Sequence, residues 1–217
     1  MALVISVCAL KGGVGKTTIA LSLAGCLHRA DRKVVLVDAD SQATLRMWAG
    51  KAAESEHDGP PVVSLDGKSL RRDLGRVTAG FDVVIIDSPP RMGTEARAAM
   101  LEADLVLLPV VPGAADMWAL QETLSVLEDA RGLRPELRAA VVLNRTDRTT
   151  LASLTREAAG SVGVPTLKSS LGSRVAFGEA MLSGQTVADY APESRAADEV
   201  RNVTTDVLAA VGADNGK

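Results

Sequence analysis

The stretch LVISVCAL (Leu3–Leu10) runs straight into KGGVGKTT (Lys11–Thr18), and the residues from Thr17 to Arg29 have helix-forming composition. An apolar strand, a glycine-rich turn and a helix in that order make an anion cradle. The glycines let successive backbone N–H groups point inward at phosphate oxygens, and the helix adds the positive end of its dipole. Gly12, Gly13, Val14, Gly15, Lys16, Thr17 and Thr18 are therefore the candidate nucleotide-binding residues. Lys16 is placed to reach the β and γ phosphates, and the Thr17 hydroxyl can be offered to Mg²⁺. The strict pattern G-x-x-x-x-G-K-[ST] would need glycine at position 10, where this chain has Leu10, and a second lysine, Lys11, opens the loop. Packing alone also produces glycine-rich turns, but it does not call for two lysines and two threonines in this order.

Outward from the loop, short β-branched runs alternate with helical stretches. KVVLVDAD (33–40), FDVVIIDSPP (81–90), DLVLLPVVP (104–112) and AAVVLNR (139–145) are continuously apolar rather than alternating. Both faces of each strand are then covered, as in a mostly parallel sheet between helix layers. Thr17–Arg29, Thr94–Ala103, Met117–Ala130 and Leu151–Val162 suit the crossovers, so the expected fold is doubly wound α/β, with helices on both faces of the sheet. Residues 51–61, KAAESEHDGPP, read as a polar surface excursion. At 217 residues one domain is expected, over residues 1–213, with 214–217 a frayed tail. Hydrophobic residues at 47% supply an ample core, and aromatics at 2% make it aliphatic. No apolar run approaches the ~18 residues that cross a bilayer. Two cysteines, Cys8 and Cys26, are too few and too separated for a disulfide scaffold or a C-x-x-C metal site, so a cytoplasmic location is expected. A net charge of -3 gives no global pull toward nucleic acid. The basic groups Arg71 and Arg72, Arg145 and Arg148, Lys168 and Arg174, Arg195 and Arg201 are scattered rather than continuous.

Four segments together resemble the ParA/MinD family of deviant Walker-A ATPases, and its small ParA-type members most. They are KGGVGKTT (11–18), VLVDADSQAT (35–44), FDVVIIDSPP (81–90) and RVAFGEAMLSGQTVADYAPESRAADEV (174–200). The resemblance implies an ATP-sandwich dimer that forms with ATP, hydrolyses it slowly until a partner protein stimulates it, and then dissociates. In such a dimer Lys11 of one subunit neutralises the phosphates held by the other, the work of an arginine finger elsewhere. Asp38 and Asp40 end a strand, where open α/β sheets place their ligands. The resemblance makes Asp40 the residue that positions the attacking water and Asp38 a support near the metal, while Asp38 as a helix cap is the competing reading. Ser41 stands where many family members have proline. Asp87 ends an apolar strand of Walker-B form and would hold Mg²⁺ through water. Ser88-Pro89-Pro90 resembles the second switch of the family. Asn144 ends the strand AAVVLN and resembles the position whose amide reads the adenine edge, with a turn-forming asparagine as the alternative. The segment Tyr190-Ala191-Pro192 would close over the base. Asp116 with Trp118 faces either the dimer partner or its own helix end.

Absences narrow the expectation. The first strand starts at residue 3, leaving no N-terminal helix-turn-helix for operator binding. The last helix, about Glu193–Val211, carries acids and few lysines, unlike a basic membrane anchor. Clustered cysteines for an iron–sulfur centre are missing, and Tyr190 is the single tyrosine, so no tyrosine cluster exists. The leading expectation is an ATP- and Mg²⁺-dependent protein that partitions or positions a cargo, either a plasmid or chromosome or a protein assembly, and is nucleoid-associated through non-specific DNA contacts by Lys168, Arg174, Arg195 and Arg201. A ParB-like or cargo-adaptor protein would trigger hydrolysis, engaging through a short basic segment if it follows the family. A DNA-independent scaffold that polymerises or recruits a partner is the alternative. A metabolic ATP-dependent ligase, which would have no need for Lys11, is a third.

Overall fold

The computed structural model describes residues 2–90, 94–147 and 149–212. Arg148 and the expected tail lie outside the described residues. Seven strands form one sheet in the order β3-β2-β4-β1-β5-β6-β7, every pairing parallel. They are β1 (Leu3–Val7), β2 (Val34–Asp38), β3 (Val62–Ser64), β4 (Val83–Asp87), β5 (Leu105–Val110), β6 (Arg138–Thr146) and β7 (Thr166–Gly172). β2, β4 and β5 are buried along their whole length, which their unbroken aliphatic sequences require.

Direction of travel across the sheet decides the layer of each helix, because parallel crossovers are right-handed. The chain first moves from the centre to the β3 edge through α1 (Lys16–Arg29) and α2 (Thr44–Glu54). It then returns across the sheet to β7 through α3 (Gly67–Val77), α4 (Thr94–Leu101), α5 (Ala114–Arg131) and α6 (Thr150–Gly160). The core divides accordingly. One cluster joins α1, Trp48 of α2 and the inward side chains Ile5, Leu36 and Ile85. The other joins Leu70, Met100, Leu127 and Ala159 to Val35, Val84 and Val106. After β7, the helices α7 (Val175–Leu182), α8 (Val187–Tyr190) and α9 (Arg195–Ala210) pack back onto the α1 side. There Gly25 is required, since a Cβ on it would come 2.3 Å from Thr186 Oγ1.

Three sequence expectations change. Residues 51–54 of the polar stretch complete α2, whose Leu45, Trp48 and Ala52 form a buried helical face that composition conceals. β3 and β7 are edge strands absent from the apolar runs. Val62–Ser64 has no residue fully buried, and β7 is mixed polar and apolar. Asn144 does not end its strand; β6 continues to Thr146 through an irregularity in its pairing with β7, with Arg145 at φ 51°.

Candidate nucleotide-binding site

Parallel strands put all their carboxyl ends on one edge, and β1 lies where the chain first leaves toward β2 and later toward β5. The phosphate loop follows β1 at this switch point. Gly13 (φ 77°) and Gly15 (φ 94°) take left-handed conformations, which turn the chain into the N-terminus of α1. The loop is braced from two distant elements. Thr123 Oγ1 on α5 accepts the Leu10 N–H at 3.3 Å. From β6, Asn144 Nδ2 donates to the Val14 carbonyl at 2.8 Å. The Asn144 Oδ1 accepts the Arg145 N–H at 2.9 Å, which the backbone irregularity at Arg145 makes possible. A Cβ on Gly15 would fall 2.2 Å from Asn144 Nδ2, so glycine is needed there for space as well as for φ. One N–H of the Asn144 amide holds the loop, and the other has no partner among the described hydrogen bonds.

Lys16 is buried, with Nζ 3.4 Å from the Lys11 carbonyl it donates to. Burial lowers its pKa, opposed by the carboxylates of Asp87 and Asp40. Thr17 Oγ1 donates to Asp87 Oδ2 at 2.6 Å. Burial pushes the Asp87 carboxyl up to about 7, against the Thr17 hydrogen bond and the Lys16 charge, with Asp38 and Asp40 adding to the rise. Asp87 Oδ1 and the Ser88 hydroxyl are buried without hydrogen-bond partners among the described residues. A buried carboxylate with one idle oxygen beside a threonine hydroxyl fits a hydrated Mg²⁺, which needs one or two protein ligands and takes the rest from phosphate and water. Consistent with so sparse a donor set, no cluster of three or more His, Cys, Asp or Glu side chains stands together among the described residues.

Asp38 is turned onto its own loop. Its Oδ1 accepts the Asp40 N–H at 3.2 Å and its Oδ2 the Arg46 N–H at 3.1 Å. This fastens the first turn of α2, whose N-cap, Ala43, lacks a capping side chain and sits at φ 56°. Both carboxylate oxygens serve backbone N–H groups, and the strand pairing sets Asp38 opposite Asp87 on the neighbouring strand. Asp40 accepts the Gln42 N–H at 3.0 Å and lines an open hollow of about 600 Å³ with Arg46, Asp66, Pro89, Pro90 and Glu95.

Lys11 ion-pairs with Asp116 at 2.7 Å within the same chain. Gly113 is the N-cap of α5, so Asp116 lies in the first turn rather than at the cap, with Trp118 71% exposed beside it. The Pro192 carbonyl is held by Arg201 at 3.1 Å, and α8 joins α1 through Asp189 and Arg29. Among the described hydrogen bonds none ties Tyr190–Pro192 to the phosphate loop. Of the four candidate DNA contacts, Lys168 lies on β7, Arg174 is the N-cap of α7, and Arg195 and Arg201 lie on α9. Arg174 pairs with Glu199 at 2.7 Å, Arg195 with the same carboxylate at 3.2 Å, and Arg201 with Asp198. Lys168 is exposed on β7 without an ion pair among the described residues. The sequence analysis did not single out Thr123, which belongs to no motif that marks it.

Fold and site together define a P-loop protein of the deviant Walker-A type. A family profile described as "CobQ/CobB/MinD/ParA nucleotide binding domain" matches residues 5–187, and the chain belongs to that family. It is 33% identical over 210 residues to the maintenance of carboxysome distribution protein A of Halothiobacillus neapolitanus, covering 95% of this chain and 97% of that one. To the chromosome-partitioning ATPase Soj of Thermus thermophilus it is 33% identical over 235 residues, covering 93% of each. The fold is similar to that of the septum site-determining protein MinD complexed with Mg-ADP from Pyrococcus horikoshii. There the TM-score is 0.80 at 22% identity, with 100% of each chain covered. No helix among the described residues is long and apolar enough to cross a membrane.

Proposed function

We propose that this chain is a Mg²⁺-dependent ATPase that forms an ATP-sandwich dimer, binds DNA without sequence preference and uses partner-stimulated hydrolysis to position a cargo. The observation that carries the reading is the juxtaposition of Lys16, Thr17 and the half-partnered Asp87 under a left-handed glycine loop, with a second lysine at its mouth. Bound Mg²⁺ supplies charge neutralisation of the phosphates. The chain's own groups do the rest. Loop N–H groups and Lys16 orient the triphosphate, Thr17 and Asp87 hold the metal, and Asp40 orients the attacking water. Asn144 offers its remaining N–H to the adenine. Lys11 leaves Asp116 to reach the phosphates of the partner subunit. The single domain spans residues 1–213, and likeness to the carboxysome distribution protein over nearly its whole length favours a protein assembly as cargo.

Lys168, Arg174, Arg195 and Arg201 are the proposed phosphate contacts. Their ion pairs are on the surface, where such pairs contribute little and exchange readily. The same pairs favour the second reading, a DNA-independent scaffold, because they leave the α9 face close to neutral. DNA affinity of the Asp40→Ala protein, measured with ATP and with ADP at two salt concentrations, separates the two. Binding with ATP alone that weakens steeply with salt is expected. Nucleotide-dependent dimers without DNA affinity in either state would establish the scaffold instead.

A further inference from the structure

α3 and α4 enclose a groove of about 820 Å³ on the face of the sheet opposite α1. Its rim is cationic: Lys68, Arg71 and Arg72 come from α3 and Arg97 from α4, and no carboxylate lines it among the described residues. Its floor is apolar, formed by Ala98, Leu101 and Leu133, the last 67% exposed. Lys68 and Arg97 form no ion pair among the described residues. Arg72 holds Asp73 at 2.6 Å, and Arg71 reaches Glu102 only at 4.0 Å. In a molecule of net charge -3, this is a local reversal of sign over exposed aliphatic surface. The three cations of α3 sit at positions i, i+3 and i+4, so its buried Leu70 and Leu74 turn them to one outer face.

The geometry points to this groove as the docking site of an acidic amphipathic segment of a partner protein. Its carboxylates meet Lys68, Arg71, Arg72 and Arg97 while its apolar side chains cover Leu101 and Leu133. A nucleic acid backbone matches the charge but has nothing to place on an aliphatic floor. The charge is opposite to what a basic activating segment would need. The occupant is therefore a contact separate from the basic segment expected of an adaptor, and the inference does not rest on that reading. The groove also adjoins the catalytic edge. A Cβ on Gly67, at the start of α3, would come 2.9 Å from the Glu95 Cα in α4, and Asp66 and Glu95 both line the hollow that contains Asp40. An occupant wedged between α3 and α4 therefore bears on the wall of that hollow.

The test uses the full chain and fluorescence anisotropy with a labelled peptide of about three helical turns, leucine on one face and glutamate on the others. A scrambled peptide of equal charge and a short duplex DNA are the other probes. The amphipathic peptide is expected to bind, to slow amide exchange at Ala98–Leu101, and to lose at least about tenfold in affinity with Lys68→Glu/Arg72→Glu/Arg97→Glu and with Leu133→Ser. Circular dichroism checks that both variants are folded. Equal binding of the scramble, absence of peptide binding, or DNA binding abolished by the charge reversals would each overturn the proposal. None of these readouts depends on ATP turnover, so failure here leaves the Asp40→Ala experiment standing, and failure there leaves the groove.

Discussion

Two regions of this molecule use carboxylates in opposite ways. Under the phosphate loop, Asp87 is buried with one oxygen idle, and its carboxyl is pushed up to about 7. At the β7 edge, Asp206 accepts the Ser169 N–H at 2.7 Å and Glu199 the Gly172 N–H at 2.8 Å. Burial of Glu199 works to raise its pKa, but the Arg174 and Gly172 hydrogen bonds outweigh it and hold the carboxyl below its usual value. One carboxylate is left incomplete beside the phosphate loop, where we propose that Mg²⁺ completes it. The other is saturated, because an edge strand needs acceptors for its outward N–H groups and gains protection from unwanted pairing. The acids of α9 thus have a structural use.

The largest expected effect that separates the two regions comes from Asp87→Asn. ATP turnover in a coupled assay should fall by roughly a hundredfold or more, as expected when a metal ligand at a phosphoryl-transfer site is lost. The ligand-free protein in EDTA should be no less stable than wild type. Because the folded-state pKa of Asp87 is raised, the folded protein binds more protons than the unfolded one between about pH 4 and pH 7, so stability from this group falls as pH rises through that window. Asp87→Asn should flatten that slope in thermal melts. A variant that melts well below wild type at neutral pH would make Asp87 structural.

A middle-sized effect is expected of Asn144→Ala. Loss of the Val14 brace and of a base contact should weaken ATP about tenfold by calorimetry, at the usual strength of one or two hydrogen bonds. Inorganic triphosphate, which has no base, should weaken too. Unchanged triphosphate affinity would confine Asn144 to the adenine.

Glu199→Gln should have the smallest effect and the opposite profile, lowering Tm by about 2–4 °C at neutral pH with ATP affinity unchanged. Since its folded pKa is depressed, the stability it gives is present above its ordinary carboxylate pKa and is lost as pH falls through the folded value. The Tm difference should therefore close in acid. A constant difference at every pH would assign the loss to packing.

The strand–loop–helix unit at Leu3–Arg29 was legible because its causes are local. Unbroken aliphatic residues demand burial on both faces, and glycines at 13 and 15 permit left-handed turns that few other residues adopt. The same reasoning found β2, β4, β5 and β6, ended β4 on Asp87, and placed both Asp38 and Asp40 at the end of β2, which stops at Asp38. It failed for β3, three residues long with none fully buried, and for β7 and α2, which are only partly buried and mix polar with apolar side chains.

By itself, then, the sequence determined the class of fold, the place of the phosphate loop and the residue types offered to a nucleotide. Tertiary structure alone decided the partners of those residues. Thr17 meets Asp87 across 70 positions, Lys11 meets Asp116 across 105, and Asn144 reaches Val14 across 130. It also turned Asp38 into a helix fastener and set Lys68, Arg71, Arg72 and Arg97 around one apolar floor. Backbone conformation follows from neighbours a few residues apart, whereas a hydrogen bond or a groove exists only after the crossovers have brought distant strands and helices to the same edge or face.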